Sequence, residues 1–166
     1  MGEAKPPVGR SGGRAIVVGV LSDTHGHLYP EVRRLLAGVD HIVHAGDIGS
    51  AAVLEELRRL APVTAVRGNC DLDGWAQSLP VVASADLGGV RVVVRHQRDR
   101  QLGARAAGRT LIVSGHSHLA SIQERDGTLF LNPGSAGPQR FGRPRTLAIV
   151  QIRDGTVTAD VVTVHA

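Results

Sequence analysis

Cysteine is almost absent: Cys70 is the only one in 166 residues. No intrachain disulfide can form, and a reducing, cytoplasmic setting is the expectation. Aromatic residues make up 2% of the chain, so the core has to be built from Val, Leu, Ile and Ala. That scarcity disfavours base stacking as the protein's task, because single-strand binders use aromatic platforms. No apolar run approaches the roughly 20 residues of a membrane helix, so no membrane is expected. Lysine is nearly missing too. Lys5 is alone, and arginine supplies the net charge of +4. Guanidinium groups suit planar contact with phosphate or carboxylate, but a solvated Arg-rich surface has the same composition. Residues 1–14 hold Gly, Pro and charge without the apolar stretch of a secretory signal. They read as a flexible tail, and residues 15–166 as a single domain.

What is present is an alternation. Hydrophobic and charged contents of 42% and 20% are those of a globular chain. Residues 15–21 form an apolar, β-branched run typical of a buried strand. Residues 29–37 read as a short helix, with Pro30 in its first turn and Val32, Leu35 and Leu36 as an apolar stripe. A second strand over 40–45 ends in Gly46-Asp47. Ser50 suits the cap of a helix over 51–60, which Pro62 ends. A third strand over 63–67 runs into Gly68-Asn69-Cys70-Asp71. Such an order predicts a parallel sheet with right-handed crossovers.

The second half predicts hairpins: 81–87 with 90–94 around Gly88-Gly89, 119–124 with 129–131 around Asp126-Gly127, and 147–152 with 156–164 around Asp154-Gly155. A brief helix is expected over 99–108 and a strand over 110–113. The expectation is an α/β half followed by a mostly antiparallel half, as two packed sheets with helices outside.

The chemistry gathers at strand ends. In extended backbone, residues i and i+2 share a side, which would bring Asp23 and His25 to one point after the first strand. Alone, an Asp or His at a strand end is an ordinary turn or cap residue. Five strand ends, however, carry metal-ligand types: Asp23 with His25, Asp47, Asn69, His96, and His116 with His118. In parallel sheets ligands sit beyond the carboxyl ends of the strands. Seven such donors hold two divalent ions if one carboxylate bridges. Two ions about 3.5–4 Å apart polarise a phosphate ester and supply a hydroxide near neutral pH. Imidazole, carboxylate and one amide suit Mn²⁺ foremost, then Zn²⁺, Fe²⁺ or Ni²⁺, rather than an all-oxygen Mg²⁺ or Ca²⁺ site.

Asp23-x-His25, Gly46-Asp47, Gly68-Asn69, a lone His96 and Gly115-His116-x-His118, in this order, resemble the calcineurin-like metallophosphoesterase superfamily. Leu-Ser-Asp-Thr-His-Gly-His, Gly-Asn-Cys-Asp and Asn-Pro-Gly-Ser are similar to its small bacterial and archaeal YfcE-type branch. The resemblance spans about residues 15–164. It implies an α/β fold, a four-layer αββα sandwich of two mixed β-sheets flanked by helices, with a dinuclear site between the sheets. It also implies that Asp23, His25 and His118 hold one ion, that Asn69, His96 and His116 hold the other, and that Asp47 bridges. A metal-bridging hydroxide would attack phosphorus in line, which makes the expected activity that of a phosphodiesterase or phosphatase.

Two departures stand out. Many members carry a His after the Asn as general acid, where this chain has Cys70, as in the small branch. A small packed Cys is the plainer reading. The family also has His-Gly where this chain has His96-Gln97-Arg98, so the second metal block is altered.

Other residues have double readings. His27 would touch substrate phosphate or simply lie exposed. His41 and His44 read as hydrogen-bonded structural residues, with His44 near enough to Asp47 to support it. His165 carries no role. Residues 132–135 read as a turn beside the site. Arg98, in the cluster of Arg91, Arg95, Arg98, Arg100, Arg105 and Arg109, would meet substrate phosphate or form a solvated face or subunit contact. Trp75 reads as a packing residue. The expected partner is a small phosphate ester; a homo-oligomer is compatible with the chain, and nucleic acid is less favoured. The competing functions are a non-catalytic scaffold, as in the retromer subunit of this superfamily, and a nuclease.

Overall fold

The structure, a computed structural model, describes residues 13–98 and 109–166. Apolar residues at alternate positions set its layers. In β1 (Ile16–Leu21) Val18 and Val20 face one core while Val17 and Leu21 face another, because successive strand side chains point to opposite faces. β1 pairs in parallel with β2 (His41–His44), and β2 with β3 (Val63–Ala65). The crossovers are α1 (Pro30–Leu36) and α2 (Ala51–Leu60). Both cover the same face: Val32, Leu36, Val53, Leu54 and Leu57 pack with Leu21, Ile42 and Ala65. Ser50 caps α2, its Oγ accepting from the Val53 N–H at 3.4 Å. Leu35, expected on the stripe of α1, is exposed. Tyr29, three residues before Val32, packs on that core instead, which turns the buried stripe away from Leu35.

A hairpin of β4 (Val82–Leu87) and β5 (Val90–Arg95) opens the second sheet. β6 (Thr110–Val113) and the hairpin of β7 (Ser121–Arg125) and β8 (Thr128–Asn132) complete it in the order β4-β5-β6-β8-β7. The last hairpin, β9 (Thr146–Arg153) and β10 (Thr156–Thr163), returns to the first sheet, with β9 antiparallel to β1. The expected mostly antiparallel second half holds for four of its six pairings, and two depart from it. β5, β6 and β8 run parallel, and β8 does so beside β6 because β7 skips a place to the sheet edge before the chain turns back. Hairpin signals report sequence neighbours only, and this order is non-local.

Between the sheets Val18, Val20, Val43, Val92, Val94, Leu111, Val113, Leu131 and Val150 form an aliphatic core, as the lack of aromatics requires. Residues 74–78 make a 3-10 helix, and Trp75 packs on the helix-side core as expected. The brief helix expected over 99–108, and with it Arg100 and Arg105, lies outside the described residues, as do residues 1–12 of the expected tail. No described helix is long and apolar enough to cross a membrane.

Register is what positions the site. Leu21 lies opposite His44, and His44 opposite Ala65. Likewise Val94 lies opposite Val113, and Val113 opposite Leu131. Each parallel triplet ends level, so the loops that follow meet at one end of the sandwich.

Candidate metal centre

Past the strands, the backbone ladder continues through the loops. Asp23 N donates to Gly46 O at 3.0 Å, His25 N to Asp47 O at 3.0 Å and Gly26 N to Ile48 O at 2.8 Å. From the second sheet Gly115 N donates to His96 O at 2.9 Å, and Ala136 N reaches across to Ser22 O at 3.0 Å. These bonds, with Cys70 N donating to Asp47 Oδ1, draw the loops of all seven expected ligand residues together. Asp23, His25, Asp47, His116 and His118 each hold a left-handed backbone, with φ between 45° and 69°. Such non-glycine residues cost on the order of 1–3 kcal/mol each and concentrate at functional sites. The expectation that extended backbone aligns Asp23 and His25 is thus corrected: a turn of left-handed residues aims them inward. Close approach also dictates glycine here. A Cβ on Gly115 would lie 2.0 Å from Ser22 Oγ, and one on Gly68 would lie 2.1 Å from Asp47 Oδ1.

The side chains converge on two carboxylate oxygens. Asp23 Oδ2 accepts from Ser22 Oγ at 2.6 Å and from His116 N at 3.1 Å. Asp23 Oδ1 is buried and has no hydrogen-bond partner among the described residues. Around it lie Nε2 of His118 at 3.2 Å, of His25 at 3.8 Å and of His96 at 4.0 Å. Asp47 Oδ1 accepts from Cys70 N at 2.8 Å, while Oδ2 lies 3.2 Å from His96 Nε2 and 4.0 Å from His25 Nε2. Asn69 Oδ1 stands between His96 Nε2 at 2.9 Å and His116 Nδ1 at 3.0 Å.

His96 Nδ1 donates to Ala45 O at 2.7 Å, which leaves the Nε2 lone pair facing oxygens of Asp47 and Asn69. Lone pairs facing lone pairs around a buried orphan oxygen call for a cation, so this donor set fits divalent metal. Among the described residues Asp23-His25-His118, Asp23-Asp47-His96 and His25-Asp47-Cys70 each bring their donor atoms within 4.8 Å of one another.

Charge follows the same geometry. When a proton rather than a metal ion meets His96 Nε2, the ring donates to Asp47. Burial pushes the Asp47 carboxyl up, but hydrogen bonds from His96 and Cys70 N, with the charges of His96 and His25, then outweigh burial and hold it at about 2. Burial pulls His96 down, and Asp47 and Asp23 more than restore it, so its pKa is raised. Burial lowers His25. At His44 burial dominates and brings the imidazole to about 3. Its hydrogen bonds agree. Thr24 Oγ1 donates to Ile48 O at 2.8 Å, so it accepts from His44 Nε2 at 3.0 Å, and His44 Nδ1 accepts from Gly46 N at 3.1 Å. A neutral imidazole satisfies both contacts, and His44 braces the loop beneath Asp47.

The remaining residues divide. Cys70 is exposed rather than packed, because its backbone N–H is turned inward to Asp47. Burial, then Asp47, raises its thiol pKa. His27 is exposed and stacks on Tyr29 with centroids 6.0 Å apart. Arg98 lies over the Phe130 ring at 5.2 Å. His41 bonds Thr64 through Nε2 at 2.8 Å, away from the centre, and His165 is exposed. Residues 132–135 brace the site: Asn132 Nδ2 donates to Gly115 O at 3.0 Å, and Ser135 Oγ donates to Asp23 O at 3.1 Å.

One residue escaped the sequence reading. Buried Asp71 accepts from the N–H groups of Ile48, Gly49 and Gly68 at 3.1, 2.9 and 2.8 Å. It ties the second and third loops together. An Asp three residues after a glycine at a strand end was the available signal.

Comparison with known proteins agrees with this arrangement. The profile of the calcineurin-like phosphoesterase superfamily domain matches residues 16–155. A probable metallophosphoesterase of Methanothermobacter thermautotrophicus is 32% identical over 148 residues, which covers 81% of this chain and 85% of that protein. The phosphodiesterase YfcE of Escherichia coli is 27% identical over 178 residues, covering 84% and 94%. Among solved structures, vacuolar protein sorting 29 from Cryptosporidium parvum superposes with a TM-score of 0.72 at 21% identity, covering 89% of this chain and 97% of that one. This last likeness is one of fold.

Proposed function

The chain belongs to the calcineurin-like phosphoesterase superfamily, and on that premise we propose that it is a phosphodiesterase that works with two divalent ions. The observation that carries the reading is Asp23 Oδ1, buried and without a hydrogen-bond donor among the described residues. A carboxylate oxygen in that state costs several kcal/mol unless a cation meets it. Asp23, His25 and His118 would hold one ion, Asn69, His96 and His116 the other, and Asp47 would be shared. When bound, the ions supply charge neutralisation at the phosphate and a hydroxide nucleophile near neutral pH.

The chain's own groups orient these donors. Ser22 Oγ and His116 N hold Asp23, Cys70 N holds Asp47, and Ala45 O keeps the His96 ring turned so that Nε2 faces inward. Cys70 stands beside Asp47 with its thiol kept protonated. A neutral thiol is a weak acid towards a departing alkoxide, so esters with good leaving groups are the preferred substrates. His27 and Arg98 would meet the ester from the rim.

The test is hydrolysis of bis-p-nitrophenyl phosphate by purified protein, with Mn²⁺ present or chelated, beside elemental analysis for bound metal. Activity that appears with metal and vanishes with chelator is expected. Intact metal binding with no hydrolysis would sink this reading and favour a scaffold, the alternative that the likeness of fold to vacuolar protein sorting 29 supports. A nuclease would reveal itself by nucleic-acid binding that weakens steeply with salt.

A further inference from the structure

Among the described residues, two cavities of about 200 Å³ or more border the centre. One, of about 550 Å³, opens beside His116 at the carboxyl ends of β5, β6 and β8. The other, of about 200 Å³, lies beside Asn69 and His96 between Arg67 and Arg95. Gln97 lines both and divides them. Pockets for small molecules span roughly 300–1,000 Å³, so only the first is of that size.

Its walls have a definite character. The Arg98 guanidinium lies 5.2 Å over the Phe130 ring, with Nη2 held to Gln123 Oε1 at 3.4 Å. This sets a guanidinium and an aromatic ring together on one wall, and bases stack on aromatic rings and on guanidinium planes alike. Leu119 offers an apolar side and Ser121 a hydroxyl; both are exposed. Arginine also lies over Tyr29 (Arg145, 3.5 Å) and Phe141 (Arg143, 5.7 Å), but of these three pairs only Arg98 and Phe130 line this cavity, which offers a single base one platform rather than the succession that a polymer needs.

We propose that this cavity seats the nucleoside arm of a phosphodiester, so that the substrates are mononucleoside diesters rather than nucleic acid. The proposal rests on the phosphodiesterase reading and names its substrate class. His116, on the cavity wall and beside Asn69, places the ester phosphorus at the cavity mouth.

The experiment holds the leaving group constant and varies the other arm. With Mn²⁺, kcat/KM is compared for thymidine 5′-(p-nitrophenyl phosphate) and methyl p-nitrophenyl phosphate. The wild type is expected to prefer the thymidine ester by about tenfold or more. Ser121→Trp and Leu119→Trp, each at an exposed position, fill the cavity and should bring that ratio towards one. A wild-type ratio near one, or a preference that survives both substitutions, overturns the assignment.

If neither ester is hydrolysed, the phosphodiesterase reading has failed, and binding then decides the cavity. Calorimetry with thymidine 5′-monophosphate and with inorganic phosphate should give about tenfold tighter binding of the nucleotide, lost in Ser121→Trp. Equal affinities would overturn the proposal.

Discussion

The loops after β1 and β2 and those after β5 and β6 serve one site in opposite ways. On the first side Ser22, Asp23, Thr24, His44, Asp47 and Asp71 are buried. Their carboxylates are fixed by backbone N–H groups and a serine hydroxyl. On the second side His96 is buried, but His116 is exposed and His118 half-buried, and the larger cavity opens there. Charge explains the division. A buried carboxylate needs several fixed donors, which the level ends of a parallel sheet provide. Imidazoles, which need fewer fixed partners, tolerate a rim position, where substrate must also pass. The inner side therefore sets whether the centre exists, and the outer side sets what it accepts.

The largest expected effect tests that division directly. Asp47→Asn should lower hydrolysis of bis-p-nitrophenyl phosphate on the order of 10³-fold and reduce bound metal. His116→Asn, on the rim, should cost nearer to tenfold to a hundredfold. Equal losses for the two would break the comparison.

Next comes stability. Asp71→Ala strands three N–H groups and should destabilise the fold by roughly 3 kcal/mol, measured by denaturant unfolding. Asp71→Asn should recover part of that. An unchanged midpoint would mean that the inner loops do not depend on this tie.

The third prediction concerns pH. His44 falls from its ordinary 6.5 to about 3, through burial first and then the charge of His96. As pH drops below 6.5 the unfolded imidazole takes up a proton while the folded one does not. Stability should therefore fall by up to roughly 1.4 kcal/mol per pH unit from about pH 6 towards pH 3. His44→Gln should flatten that part of the profile, and an identical slope in both proteins would rule out a neutral buried His44.

The smallest effect sits on the rim. Cys70→His should raise turnover of an alkyl phosphodiester by about tenfold, since an imidazolium protonates a departing alkoxide better than a thiol. No gain would show that position 70 does not face the leaving group.

Much of the molecule was legible because its signals are local. The period of β1, the proline and serine that open α1 and α2, and the Asp-Gly and Gly-Gly turns each lie within one element. The sequence alone also carried the ligand types, since Asp23, His25, Asp47, Asn69, His96, His116 and His118 each stand just past a strand. What it did not carry depends on partners far apart in the chain. Asp71 meets Ile48 and Gly49 from 23 and 22 residues away, and β8 inserts beside β6 by a choice no hairpin signal contains. The left-handed turns at Asp23 and His25 and the outward turn of Cys70 belong with these. Each is a backbone strain or a side-chain direction that the isolated segment does not fix, and only the packed loops at one end of two sheets hold it in place.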